Sequence, residues 1–133
     1  MLKIAKQYEP NADVIFSLGD CIDLLPTIPD ETVQLIVTSP PYNIGKEYEV
    51  KTSLQEYLKF QERVIAESVR IVKPGGSICW EVGNYVENGK ITPLDILLFP
   101  IFSSLGLSLR NRIDPSFGSP FAQPHGKDKR EGT

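Results

Sequence analysis

The 133-residue chain has one histidine, His125, together with two cysteines, one tryptophan and one methionine. A single imidazole, placed among prolines and mixed charges near the end of the chain, argues against histidine-based catalysis or a histidine-ligated site, and no metal is expected. Cys21 and Cys79 lie far apart, without metal-ligand spacing and in or beside apolar segments, so they read as reduced structural thiols of a cytoplasmic protein. No apolar stretch approaches the roughly 20 residues that span a bilayer. Met1-Leu2-Lys3-Ile4-Ala5-Lys6 has no continuous apolar run behind its charges, so neither a membrane span nor a secretory signal is expected. Basic excess is also missing: 14 Lys and Arg stand against 17 Asp and Glu, a net charge of −3. The chain as a whole therefore has no attraction to a nucleic-acid backbone, and any such contact must be local or lie on sequence beyond it.

With 41% hydrophobic and 23% charged residues, the chain suits one small domain with a modest core. It is short for a complete doubly wound fold, which needs two βαβαβ halves. Residues 1 to 12 read as a lead-in, and Asp13 to Leu18 as a short strand stopped by Gly19-Asp20. A helical turn from Cys21 to Leu25 ends near Pro26. A second strand covers Val33 to Val37. Ser53-Leu54-Gln55-Glu56 matches a capping box, and Leu54, Tyr57, Leu58, Val64, Ile65, Val69 and Val72 keep near helical spacing behind it. Lys73-Pro74-Gly75-Gly76 supplies the stop signals, and Ser77 to Val82 reads as the next strand. Strand, loop, helix, turn and strand make a βαβ unit with parallel neighbours and a right-handed crossover. A polar turn is expected after Gly83-Asn84. A helix should then start with Thr92 as N-cap and Pro93 at its first position, bend or break at Pro100 and close at Gly106. Leu107 to Ile113 could add a strand, although Arg110-Asn111-Arg112 is too polar for a central one. Residues 1–113 are expected to form the domain and 114–133 an irregular tail.

The chemistry concentrates at Thr38-Ser39-Pro40-Pro41-Tyr42, directly behind an apolar strand, where open α/β sheets place their sites. Pro40 and Pro41 fix φ at successive positions and remove two backbone donors, leaving carbonyl acceptors in a stiff frame. Ser39 adds a side-chain acceptor and Tyr42 a flat face. This set suits gripping a planar base by its amino group. Tyr57 and Trp80 read as core residues instead, and Lys127 to Glu131 as a solvated end.

Gly19-Asp20, Thr38-Ser39-Pro40-Pro41-Tyr42-Asn43 and Val72-Lys73-Pro74-Gly75-Gly76, in that order, resemble the amino half of a permuted, beta-class DNA amino-methyltransferase. The resemblance covers roughly residues 16 to 113. It implies an α/β fold: a partial, incomplete Rossmann-like sheet with a parallel βαβ core and helices on its faces. It implies transfer of a methyl group from S-adenosyl-L-methionine to the exocyclic amino group of cytosine or adenine in DNA, of the restriction-modification type, on a base flipped out of the duplex. By the same resemblance Ser39 and the Pro40 carbonyl accept from the base amino group, Pro41 completes the rigid corner and Tyr42 stacks. Ser39 in place of aspartate leans toward cytosine. Asp20 resembles the acidic residue that accepts from the cofactor's adenine amino group, and it equally suits the N-cap of the turn at Cys21.

The sequence departs from that pattern near Ile113. Asp114-Pro115-Ser116-Phe117-Gly118-Ser119 resembles the family's glycine-rich cofactor motif, but Pro120 stands where a close-approach glycine belongs, and no amphipathic helix follows. The chain is thus expected to be truncated before that motif and inactive alone, and a companion chain could carry the missing half. Two other readings stay open: a non-catalytic interaction module that pairs with such a companion, and a methyltransferase acting on RNA or a protein amide.

Overall fold

A computed structural model describes residues 1–47 and 49–113. The expected tail, His125 and the Asp114–Ser119 segment lie outside these residues. The order is β1 (Ile4–Ala5), β2 (Val14–Ile15), α1 (Cys21–Leu24), a 3-10 turn (Leu25–Thr27), β3 (Val33–Thr38), α2 (Leu54–Ile71), β4 (Val72–Trp80), β5 (Asn84–Glu87), β6 (Lys90–Pro93) and α3 (Leu94–Ser104).

The expected βαβ unit is present. β3 and β4 run parallel, with Leu35 opposite Ser77, Ile36 opposite Ile78, Val37 opposite Cys79 and Thr38 opposite Trp80. α2 makes the crossover. Its capping box is formed in full: the Ser53 hydroxyl accepts from Glu56 N at 3.2 Å, and the Glu56 carboxylate accepts from Ser53 N at 3.1 Å. Tyr57, Gln61, Ile65, Ser68 and Ile71 recur every three or four residues and form its buried stripe. α3 packs on α2, and Phe102 of α3 meets Trp80 of β4 edge to face at 5.5 Å. Ile65, Leu94 and Leu98 are sealed from solvent, and burial of each such side chain contributes about 1.5–3 kcal/mol.

Several expectations need correcting. The strand expected over Asp13 to Leu18 shrinks to Val14–Ile15, and it pairs in parallel with Ile4–Ala5 inside the expected lead-in. β4 starts at Val72, so Pro74-Gly75-Gly76 lies within a strand whose register breaks between Val33 and Leu35. The polar turn after Gly83 is a hairpin, β5 antiparallel to β6, closed by Asn88 (φ 50°) and Gly89 (φ 74°). Two successive positive φ values make the type I′ turn that suits strand twist. The N-cap of α3 is Pro93 rather than Thr92, and α3 continues through Pro100 to Ser104. Leu107 to Ile113 contains no strand. Both cysteines are free and exposed rather than packed.

Helices were expected on the faces of an incomplete sheet. Among the described residues α2 and α3 cover one face, with Ile36, Thr38, Ile78 and Trp80 half-buried beneath them. Leu35, Val37 and Cys79 on the other face stay exposed. The first two strands form a separate two-stranded sheet, held to α2 through α1 and the 3-10 turn. Arg70 of α2 ties that connection down, donating to the carbonyls of Leu25 (2.9 Å) and Ile28 (2.8 Å) and pairing with Asp30 and Glu67.

Candidate active site

β3 ends at Thr38, and the chain turns outward at once through Ser39, Pro40, Pro41 and Tyr42. Ser39 and Pro41 are exposed, while Pro40 and Tyr42 are half-buried. The structure therefore brings these four residues together in one corner. The hydroxyls of Ser39 and Tyr42 lie 3.2 Å apart. One of them donates, and when it is Ser39, both serine lone pairs remain to accept from a ligand.

The tyrosine ring lies on the backbone of Gly83. A Cβ added at Gly83 would stand 3.0 Å from Tyr42 Cδ2 and 3.1 Å from Cε2, so a residue without a side chain is needed for this approach. The ring packs against a buried cluster of Tyr57, Tyr85 and Leu94, which Leu54, Leu58 and Val82 also cover. The hairpin thus serves the site: its Tyr85 and the Gly83 just before it form the seat of Tyr42.

Beyond Tyr42 the chain is held by two polar residues. Asn43 is buried at a positive φ of 59°, and its side-chain amide bonds Thr52 twice: Nδ2 donates to Thr52 O at 2.7 Å, and Oδ1 accepts from Thr52 N at 2.8 Å. Asparagine tolerates the left-handed region better than most residues. Glu49 closes the intervening loop by accepting from the backbone N–H of Asn43, Ile44 and Lys46. Burial opposes its ionisation, but N–H donors at Lys46, Ile44, Asn43 and Gly45 outweigh this and hold its carboxyl below the usual carboxylate range. The corner is thereby pinned to the N-terminus of α2. Beneath it, burial pushes the Tyr57 phenol up to about 12, with the charges of Glu49 and Tyr42 adding to the shift; its oxygen has no hydrogen-bond partner.

Asp20 stands elsewhere. Its Oδ1 accepts from Ile22 N at 3.0 Å, so it caps α1. It also lines a cleft of about 360 Å³ with Gln7, Tyr8, Ser17, Leu18, Gly19, Asp23, Leu24 and Thr27. None of residues 39 to 42 lines that cleft. The size falls at the low end of small-molecule sites. The capping bond uses one carboxylate oxygen, and the other suits an amino donor such as that of an adenosyl group. Among the described residues no cluster of His, Cys, Asp and Glu suits a metal ion, and no helix is long and apolar enough to cross a membrane.

Sequence reasoning singled out the corner and missed what seats it. Asn43 stood only as the last residue of the motif, Gly83 only as the start of a polar turn, and Glu49 carried no signal, although Asn88-Gly89 between alternating residues was a legible hairpin mark.

The family model described as DNA methylase, of the N6/N4 methyltransferase type, matches residues 33–121. M.BglII, a type II methyltransferase of Bacillus subtilis, is 50% identical over 109 residues, which cover 81% of this chain and 29% of its own length. M.ScaI, a type II methyltransferase of Streptomyces caespitosus, is 39% identical over 99 residues, covering 72% of this chain and 32% of its own length. A Thermus thermophilus protein described as a DNA modification methylase superposes with a TM-score of 0.58 at 31% identity, over 70% of this chain and 38% of that one. A further structure of it, complexed with S-adenosyl-L-methionine, gives 0.55 at 28% identity, over 67% of this chain and 39% of that one. The chain spans less than a third of the length of M.BglII and M.ScaI. With a family match across most of the sheet, the crossover helix and the corner at Ser39, the chain belongs to the DNA methylase family.

Proposed function

We propose that this chain supplies the base-gripping corner of an S-adenosyl-L-methionine-dependent methyltransferase, acting on the exocyclic amino group of a DNA base in a restriction-modification setting. The observation that carries the reading is the Ser39–Tyr42 pair: two hydroxyls 3.2 Å apart at a strand end, one of them borne on a ring seated against Gly83. The relatives' names as type II methyltransferases support it.

An exocyclic amino nitrogen is a poor nucleophile because its lone pair is delocalised into the ring. Ser39 Oγ and the Pro40 carbonyl accept its two N–H bonds, which favours a pyramidal nitrogen and localises the lone pair. Tyr42 stacks on the extruded base and stands in for its former neighbours in the duplex. Pro40 and Pro41 keep the acceptors fixed, so little reorganisation is needed as charge develops. When bound, S-adenosyl-L-methionine supplies an electrophilic methyl group on sulfonium. Asp20 is the residue that would accept from its adenine amino group. The surplus proton is acidic once the nitrogen is alkylated and leaves to water, so the corner needs no histidine. Ser39 favours cytosine over adenine as the target.

The cleft at Asp20 and the corner at Ser39 have no lining residue in common, and one face of the β3–β4 sheet is open. The working enzyme therefore needs the rest of the fold, from a longer polypeptide or a companion chain. The test is transfer of a labelled methyl group to DNA, followed by nucleoside analysis. The chain alone should give no labelled DNA, and the chain supplied with the complementary region should give N4-methylcytosine. Label incorporated by the chain alone, or complemented activity that survives Ser39→Ala unchanged, would overturn the reading.

A further inference from the structure

The segment that leads from the cleft at Asp20 into β3 has little packing of its own: no side chain of α1 or of the 3-10 turn is buried. Arg70, near the end of α2, holds it by polar contacts instead. All five N–H groups of the guanidinium donate. Nη1 donates to Ile28 O at 2.8 Å and Asp30 Oδ1 at 2.7 Å, and Nη2 to Leu25 O at 2.9 Å and Glu67 Oε2 at 2.8 Å. Nε donates to Glu67 Oε2 at 3.0 Å. The backbone of the same turn of α2 adds to the clamp, with Glu31 N donating to Arg70 O at 3.0 Å and Thr32 N to Ile71 O at 2.8 Å. Thr32 directly precedes β3, which ends at the Ser39 corner. Leu24 and Thr27, flanking the clamped Leu25, line the cleft with Asp20.

We infer that Arg70 is a positioning residue for the cofactor: its fork fixes the Leu24–Thr27 wall, and with it Asp20, against the strand that carries Ser39. α1 runs without a break into the 3-10 turn, so a fixed Leu25 and Ile28 set the tilt of α1 and the place of Asp20 at its head. Arg70 does not line the cleft, so it acts through the wall. The planar guanidinium suits this task, because it reaches two carbonyls and two carboxylates at once, whereas a lysine ammonium has three donors and no fork. Asp30 is largely in solvent, so its ion pair with Arg70 aims the guanidinium more than it stabilises the fold. The inference rests on the cleft being the place where S-adenosyl-L-methionine binds.

Arg70→Lys keeps the positive charge and loses the fork. The amides of Asp23 and Leu24 donate to Asp20 O, and that of Ile28 donates to Leu25 O, so they report on the wall. In the chain alone, without cofactor, their hydrogen exchange should accelerate by about tenfold in Arg70→Lys, while amides in the middle of α2 keep their rates. In the complemented chain, equilibrium dialysis with S-adenosyl-L-methionine should show a Kd raised by about tenfold, the equivalent of one lost hydrogen bond, with DNA affinity within about twofold of the parent. Asp20→Asn serves as the control, since asparagine still caps α1 but offers a donor where the second carboxylate oxygen stood. Weakened cofactor binding in Asp20→Asn with parental binding in Arg70→Lys would overturn the inference and leave the assignment of the cleft standing. Parental binding in both would overturn that assignment and the inference with it. Exchange that accelerates through all of α2 in Arg70→Lys would also overturn the inference, because Arg70 would then hold the fold as a whole and not the wall of the cleft.

Discussion

Ser39 and Tyr42 face each other across the two prolines, hydroxyl to hydroxyl at 3.2 Å, so the proposed acceptor and the proposed stacking ring are linked to each other. Tyr42→Phe removes the link and keeps the ring. The serine proton is then free to point at the base, where it competes with the amino N–H for the same space. Methyl transfer by the complemented enzyme should fall about tenfold, the cost of one ordinary hydrogen bond, with DNA affinity little changed. A rate equal to that of the parent would show that the link has no part in orienting Ser39.

Gly83 sets the height of the ring. Gly83→Ala places a methyl group at 3.0 Å from Tyr42 Cδ2, and such overpacking costs about 1–3 kcal/mol. The urea midpoint should drop accordingly. In a Tyr42→Ala background the same change should be nearly neutral, since the clash is gone, and the difference between the two backgrounds measures the contact.

Acid should loosen the loop from Asn43 to Thr52. The folded-state pKa of Glu49 lies below its ordinary value of 4.5. Its contribution is therefore complete above that value and is lost as pH falls through the folded pKa. Glu56 of the capping box, held down by the Ser53 hydroxyl and then by Ser53 N–H, acts in the same direction. The urea midpoint should fall on acidification from pH 7 through this window, and Glu49→Gln should flatten part of that fall. Hydrogen exchange at the amides of Asn43, Ile44 and Lys46 should accelerate together in the parent chain at low pH.

Tyr57 offers a change in the opposite direction. Its phenol is buried without a hydrogen-bond partner, and burial leads the causes that raise its pKa to about 12. Tyr57→Phe keeps the packing against Leu94 and Tyr85 and removes an unsatisfied group, so stability should hold or rise by up to about 1 kcal/mol. Ultraviolet titration of the folded parent should show one tyrosine ionising near pH 12, absent from the variant.

The sequence reported what is local and periodic. The α2 capping box and the parallel β3–β4 pair were legible, because each is written in spacing over a few turns or residues, whereas of the buried stripe only Tyr57 and Ile65 were read and the polar Gln61 and Ser68 were not. The β1–β2 pair was hidden, since two-residue strands have no alternation to read. β4 was misjudged at its start because Pro74-Gly75-Gly76 is a helix stop in isolation, whereas pairing with β3 absorbs the irregularity as a register shift. The strand expected over Leu107 to Ile113 did not form; Arg112 instead reaches back to pair with Asp95.

The site divides in the same way. Ser39, Pro40, Pro41 and Tyr42 were singled out from residue type and from the family resemblance. Their supports were not, because Gly83 and Tyr85 meet Tyr42 only through the fold, and Asn43 meets Thr52 only once the loop closes. Asp20 caps α1, as one of its two readings required.

The most direct measurement is the single-turnover rate of methyl transfer to DNA by the complemented chain, parent against Ser39→Ala. Removing an acceptor aimed at the reacting amino group should slow the step by about 100-fold or more, while DNA binding stays within about threefold. A Ser39→Ala rate within about twofold of the parent would contradict the assignment, because the corner at the end of β3 would then hold the base without helping it react.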